Sequence, residues 1–246
     1  MIDESILLLL SFRPVFASHD VEPGTFAEDF GYGFPEAARC GFQFRDFARR
    51  KPQRKKLASP VALRFGWSSG HVTVADYTAW KNGGEKCRDE LAIFIKERLR
   101  ERYIDPLASN EKKNGFAIMA LSCFLMETLE SFYQGWPSPN SALAFCSFFD
   151  RQQRFDDFRS YSGEFYKNVR CGILHQGETV GRCAVTRDKA SPIFDRSKLR
   201  INATKFHKRL ALCLDDYSRQ LRACDTADNL WKNFFKKMDA TVKTIG

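Results

Sequence analysis

With 246 residues, 43% hydrophobic and 14% aromatic, the chain has enough apolar material for a full core and does not have the composition of a disordered protein. A net charge of +9 and a pI near 9.2 favour anionic partners, nucleic acid first among them. Eight cysteines with neither a Cys-x-x-C pair nor Cys/His ligand spacing exclude a disulfide framework and a zinc site, and read as reduced thiols of a cytoplasmic protein.

The opening Met1-Ile2-Asp3-Glu4-Ser5 is acidic and the apolar run Ile6 to Leu10 is short, so neither a signal peptide nor a membrane span is expected. Residues 1–74 scatter Gly, Pro and Phe without a sustained period and form an irregular leader. This leader holds ten Lys or Arg against eight Asp or Glu, so the basic excess lies mainly in the helical domain expected over 75–246. Six of the eight residues from Arg49 to Lys56 are basic, and this run reads as a solvated segment or a nucleic-acid contact.

From Glu85 to Tyr103, Leu91, Ile95 and Leu99 repeat at i, i+4 and i+8 among charges, an amphipathic helix stopping before Asp105-Pro106. Asn114 to Tyr133 is apolar nearly all the way round and is expected to be the central helix. Asn140 or Ser141 can cap a third, aromatic-rich helix from Ala142 to about Phe158. A fourth, from about Gly163, carries Phe165, Val169 and Ile173 on one stripe and Tyr166, Arg170 and Leu174 on the next. Thr179–Thr186 and Ile193–Ile201 suggest a β-hairpin over about 179–201. Asn202 then caps a helix to about Leu221, and Leu230–Met238 is a last, basic one. The fold expected is mainly α, an antiparallel helical bundle with a small β-hairpin insertion before the penultimate helix.

The chemistry concentrates in Phe165–Gln176. Arg170, an always-charged phosphate clamp, is followed at the fifth residue by His175, which can move protons near neutral pH. In one ideal helix this spacing leaves the two about 140° apart around the axis. They meet only if the helix ends or tightens near Gly172, or if two copies of the chain bring their helices together. Such a pair suits RNA: the imidazole exchanges protons with the 2′-hydroxyl or the leaving 5′-oxygen while the guanidinium holds the phosphate, giving a 2′,3′-cyclic phosphate without metal or cofactor.

Around this pair, Glu127 interrupts the central helix and needs a partner, Arg170 or His175. Lys167 adds positive field, and Asn168 and Gln176 are either phosphate or ribose contacts or ordinary helix-end caps. Cys171 reads as a packed thiol, and His207, beside Lys205, Lys208 and Arg209, as a surface histidine on a basic face that could follow an RNA backbone. The absence of a P-loop, a Rossmann loop or Gly-x-Ser-x-Gly removes the common nucleotide-dependent and hydrolase classes.

Arg170-x4-His175 at the end of a helix, preceded by the apolar helix Phe116 to Phe132, resembles the R-x(4–6)-H signature of HEPN-domain proteins, above all the HEPN ribonucleases of prokaryotic toxin and antiviral defence systems. The resemblance covers about residues 85–221. It implies an antiparallel helical bundle that forms a homodimer, two Arg/His pairs facing one composite groove, and metal-independent endoribonuclease activity on single-stranded RNA. Carried over, Arg170 stabilises the phosphate and His175 is the general acid and base. Glu127, read from its own setting, either orients one of them or forms a purely structural ion pair, and an antitoxin or sensor protein is a candidate partner. Family members commonly place Asn, Asp or His directly after the arginine; here that residue is Cys171. The other reading is a non-catalytic helical module binding RNA, a nucleotide or a partner protein.

Overall fold

The computed structural model describes residues 63–64, 71–108 and 114–245, so most of the leader and the basic run Arg49–Lys56 lie outside the described residues. Two short strands come first, β1 (Leu63–Arg64) and β2 (His71–Val72), paired antiparallel with Leu63 opposite Val72. Helix α1 (Val74–Gly83) follows, an element that hydrophobic spacing does not reveal. Its start is a capping box: the Thr73 hydroxyl accepts from Asp76 N–H at 3.1 Å, and the Asp76 carboxylate accepts from Thr73 N–H at 2.7 Å.

Helix α2 (Arg88–Leu99) buries Leu91, Ile95 and Leu99 as their spacing requires, together with Ala92 and Phe94. The chain does not stop before Asp105-Pro106. It widens into a π-turn over Arg100–Ile104 and adds a further helical turn, Asp105–Ala108. Pro106 has no N–H to give, and it falls just after the wide turn, where the regular i to i−4 ladder is already broken.

Helix α3 (Gly115–Gln134) is the centre of the bundle and ends on left-handed Gly135. It is the one described helix long and apolar enough to cross a bilayer by length and composition. It is a core helix nonetheless, because it carries two buried carboxylates, Glu127 and Glu130, each matched by an arginine of a neighbouring element.

Asn140 caps α4 (Ser141–Arg151), accepting from Leu143 N–H at 3.3 Å. The helix breaks at Gln152, whose backbone turns extended, and continues as a 3-10 segment, Gln153–Tyr161. Helix α5 runs over residues 162–176: an α-turn Ser162–Phe165, a π-turn Tyr166–Cys171, and a closing α-turn Gly172–Gln176.

The predicted hairpin is a three-stranded sheet instead. β3 (Ala184–Thr186) lies parallel to β5 (Arg200–Asn202), which pairs on its other side antiparallel with β4 (Phe194–Asp195). The expected single strand 193–201 is split because the Asp195 carboxylate accepts from Lys198 N–H and the Ser197 hydroxyl, and Leu199 takes a left-handed backbone (φ 48°).

Asn202 caps α6 (Ala203–Ala223), accepting from Lys205 N–H at 3.1 Å, and α7 (Asn229–Ile245) closes the chain. The tightest part of the core is aromatic. Phe149, Phe155, Phe158, Phe165 and Phe206 are fully buried, and Phe165 stacks on Phe206 at 5.4 Å, fastening α5 to α6. The fold is mainly helical with a small sheet between α5 and the penultimate helix.

Candidate functional site

Arg170 sits on the side of α5 that faces α3 and the start of α4. Its Nε donates to Glu127 Oε1 at 2.8 Å and its Nη2 donates to the Ser141 hydroxyl at 3.3 Å. Ser141 in turn donates to Glu127 Oε2 at 3.2 Å, closing a ring of three side chains from three helices. The carboxylate that interrupts α3 thus has Arg170 as its partner. Burial disfavours the charge on Arg170, and the Glu127 carboxylate outweighs burial, so the guanidinium pKa is raised. The Nη1 group of Arg170 makes no hydrogen bond among the described residues, and its side chain retains 15% exposure.

The π-turn sets what stands next to the arginine. An i to i+5 turn brings Tyr166 and Cys171 to the same side of the helix. The Tyr166 ring centroid lies 5.8 Å from the Arg170 guanidinium carbon, and its phenol pKa is raised by burial and by the Cys171 thiol beside it. Cys171, directly after the arginine, is a half-buried free thiol. Below it, Cys123 on α3 is fully buried, and burial pushes its pKa up.

Gly172 does not end the helix. It is buried because the returning chain crosses it: a Cβ there would stand 2.6 Å from the Glu178 carbonyl oxygen and 3.3 Å from Thr179 Cα. The helix ends at Gln176, with Gly177 left-handed at φ 70°. The wide turn over Tyr166–Cys171 means that the spacing of an ideal α-helix does not hold between Arg170 and His175. His175 is exposed and makes no hydrogen bond or ion pair among the described residues. The Arg170 guanidinium, by contrast, is turned in toward α3 and the start of α4.

The remaining predicted residues divide. Lys167 and Gln176 are exposed on the same helix as the pair. Asn168 is structural: its backbone carbonyl accepts from Val180 N–H at 2.9 Å, and its carboxamide fills the space beside Gly181, where a Cβ would meet it at 2.7 Å. The π-turn makes this possible, since Gly172 N–H bonds Val169 and leaves the Asn168 carbonyl open to the crossing chain. Ser141 and Tyr166 belong to the site and were not singled out from sequence as site residues. A serine at a helix start reads only as a cap, and the contacts of both depend on the packing of α4 and α5.

His207 corrects a further expectation. It is 6% exposed, not on the surface, with Nδ1 bonded to the Ser122 hydroxyl at 3.0 Å and Nε2 to the Ile104 carbonyl at 3.3 Å. Burial lowers its pKa. The cations around it, Lys205, Lys208 and Arg209, do share an outward surface. The seven described cysteines are free, and among the described residues no group of three or more His, Cys, Asp or Glu is placed to hold a metal ion. Comparison with family models, curated proteins and solved structures finds no match.

Proposed function

We propose that the chain is a HEPN-type, metal-independent endoribonuclease that cuts single-stranded RNA as a homodimer, in the cytoplasm, as a toxin or antiviral effector. The observation that carries this reading is Arg170, aimed by Glu127 and Ser141 and left with an unpaired Nη1 edge. A guanidinium held on one side and open on the other is the donor that a phosphodiester needs.

Arg170 is turned in toward α3 and α4 while His175 stands exposed near the end of α5, and on this reading a second copy of the chain completes the groove. In a composite groove, His175 of one copy takes the 2′-hydroxyl proton and the 2′-oxygen attacks the phosphorus. The P–O5′ bond breaks, and His175 of the other copy protonates the leaving 5′-oxygen. Arg170 stabilises the charge that gathers on the non-bridging oxygens. The products are a 2′,3′-cyclic phosphate and a free 5′-hydroxyl.

A non-catalytic RNA- or protein-binding module is the second reading. It is favoured by Cys171 after the arginine and by a guanidinium already paired within the chain. Expression of the chain with Arg170→Ala and with His175→Ala in growing cells separates the two. The nuclease reading expects growth arrest and RNA cleavage lost in both variants, no cleavage of 2′-deoxy substrate, indifference to chelator, and the solution mass of a dimer. Equal growth and RNA integrity with and without either substitution supports the module.

A further inference from the structure

The outward face of α6 carries a second cationic feature, distinct from the Arg170 ring. Lys205, Lys208, Arg209 and Leu212 recur at i, i+3, i+4 and i+7 and, with Arg154 and Ile193, line a shallow depression. Its position is set by α4: Ser141, the first residue, touches Arg170, while the last, Arg151, leads into the segment that carries Arg154. The helix has eleven residues, so its first and last lie about 15 Å apart.

The four cations are oriented but not used up. Arg154 donates Nε to Asp216 at 2.7 Å, and Arg209 donates Nη1 to Asp157 at 3.0 Å and to the Arg154 carbonyl at 2.7 Å. Arg154 Nη1 and Arg209 Nη2 make no hydrogen bond among the described residues. Lys205 donates to the Ser191 carbonyl at 2.6 Å. Lys208 is exposed and makes no hydrogen bond or ion pair among the described residues. Asp216 and Asp157 hold the two guanidiniums and Asp188 lies near Lys205, so four cations stand against three carboxylates and the face keeps a positive excess.

We propose that this depression is a contact for single-stranded RNA outside the cutting site, the cations meeting phosphates while Leu212 packs against sugar and base. The inference rests on the reading of the protein as an RNA nuclease and adds where the strand runs beyond the scissile bond. Charge complementarity selects the occupant: unspent donors on a positive surface match a phosphate backbone. Leu212, at 47% exposure, is the one large exposed hydrophobic of α6, too little apolar surface for the core of a protein interface. The lining contains no aromatic ring, so the contact is indifferent to base sequence.

The test is fluorescence anisotropy with a labelled 12-residue 2′-O-methyl oligouridylate, which cannot be cut, so that binding is read independently of cleavage. Lys208→Glu is expected to weaken binding roughly fivefold at low salt and to flatten the slope of log affinity against log salt by about 0.7, the loss of one single-strand phosphate contact. Lys208→Gln should give the same direction with a smaller loss. In cleavage assays Lys208→Glu should raise KM for long RNA and leave kcat, and the cutting of very short RNA, unchanged. Unaltered binding in both variants overturns the inference, as does competition by an acidic peptide of equal length that matches the oligonucleotide. If the wild type, Arg170→Ala and His175→Ala all leave RNA uncut while Lys208→Glu still weakens binding, the nuclease assignment fails and the RNA contact stands.

Discussion

At the scale of single residues, the Glu127–Arg170–Ser141 ring is the feature with the largest energetic consequence. Both charges are mostly buried, so removing one leaves the other without compensation. Glu127→Ala should cost about 3 kcal/mol in a urea unfolding experiment. His207 supplies a pH signature. Its folded pKa is lowered, so the unfolded chain binds the extra proton first, and stability is present above the unfolded value of about 6.5 and is lost as pH falls below it. Urea midpoints measured from pH 7.5 to 5 should fall for the wild type and fall less steeply for His207→Gln. What the sequence conceals at this scale is partnership. The need of Glu127 for a cation is readable from its apolar surroundings, but a serine 14 residues later and a histidine at i+5 on a basic helix say nothing of Ser141 as a bridge or of a buried His207.

At the scale of elements, amphipathic spacing is a good guide and interruptions of it are not. Leu91, Ile95 and Leu99 mark α2, and Phe206, Leu210, Leu214, Tyr217 and Leu221 mark α6, because each set lines one face at helical spacing and is buried. The widened turns at Arg100–Ile104 and Tyr166–Cys171 have no such marker, since an i to i+5 bond is settled by what packs against the helix. The split of 193–201 into two strands hangs on one Asp195 turn and one left-handed leucine, both invisible to an alternation count. Gly172 looks like a weak point of a helix, and its role is close approach of another stretch of chain. Gly172→Ala should therefore destabilise by about 2 kcal/mol, although alanine is the better helix former, because its methyl group would displace the crossing loop at Glu178–Val180. Urea midpoints of the two proteins check this, and equal midpoints would show that the crossing gives way freely.

At the scale of the whole molecule, the bundle is held by one continuous core in which phenylalanines from α4, the 3-10 segment, α5 and α6 meet. Composition forecasts an aromatic core, and the sequence of helices with a β-insertion before the penultimate one is legible. The three-stranded arrangement is not, because parallel pairing of β3 with β5 joins residues 16 positions apart across an intervening strand. The Arg/His geometry is a whole-molecule matter too. Arg170 is held inward by Glu127 and Ser141 and His175 is exposed, and the nuclease reading makes assembly a condition of chemistry, so activity should fall more steeply than protein concentration once dilution separates the copies.

The wide turn of α5 amounts to one surplus residue looped into a helix. Upstream of it the helix is oriented by Phe165 in the aromatic core; downstream, Gly172 is oriented by the loop lying over it. The surplus reconciles two phases that a regular spiral could not satisfy together, and Arg170 rides in the slack between them. What fixes its heading is neither neighbour but the ring it closes with Glu127 and Ser141, so core, crossover and guanidinium are each anchored by a different part of the chain.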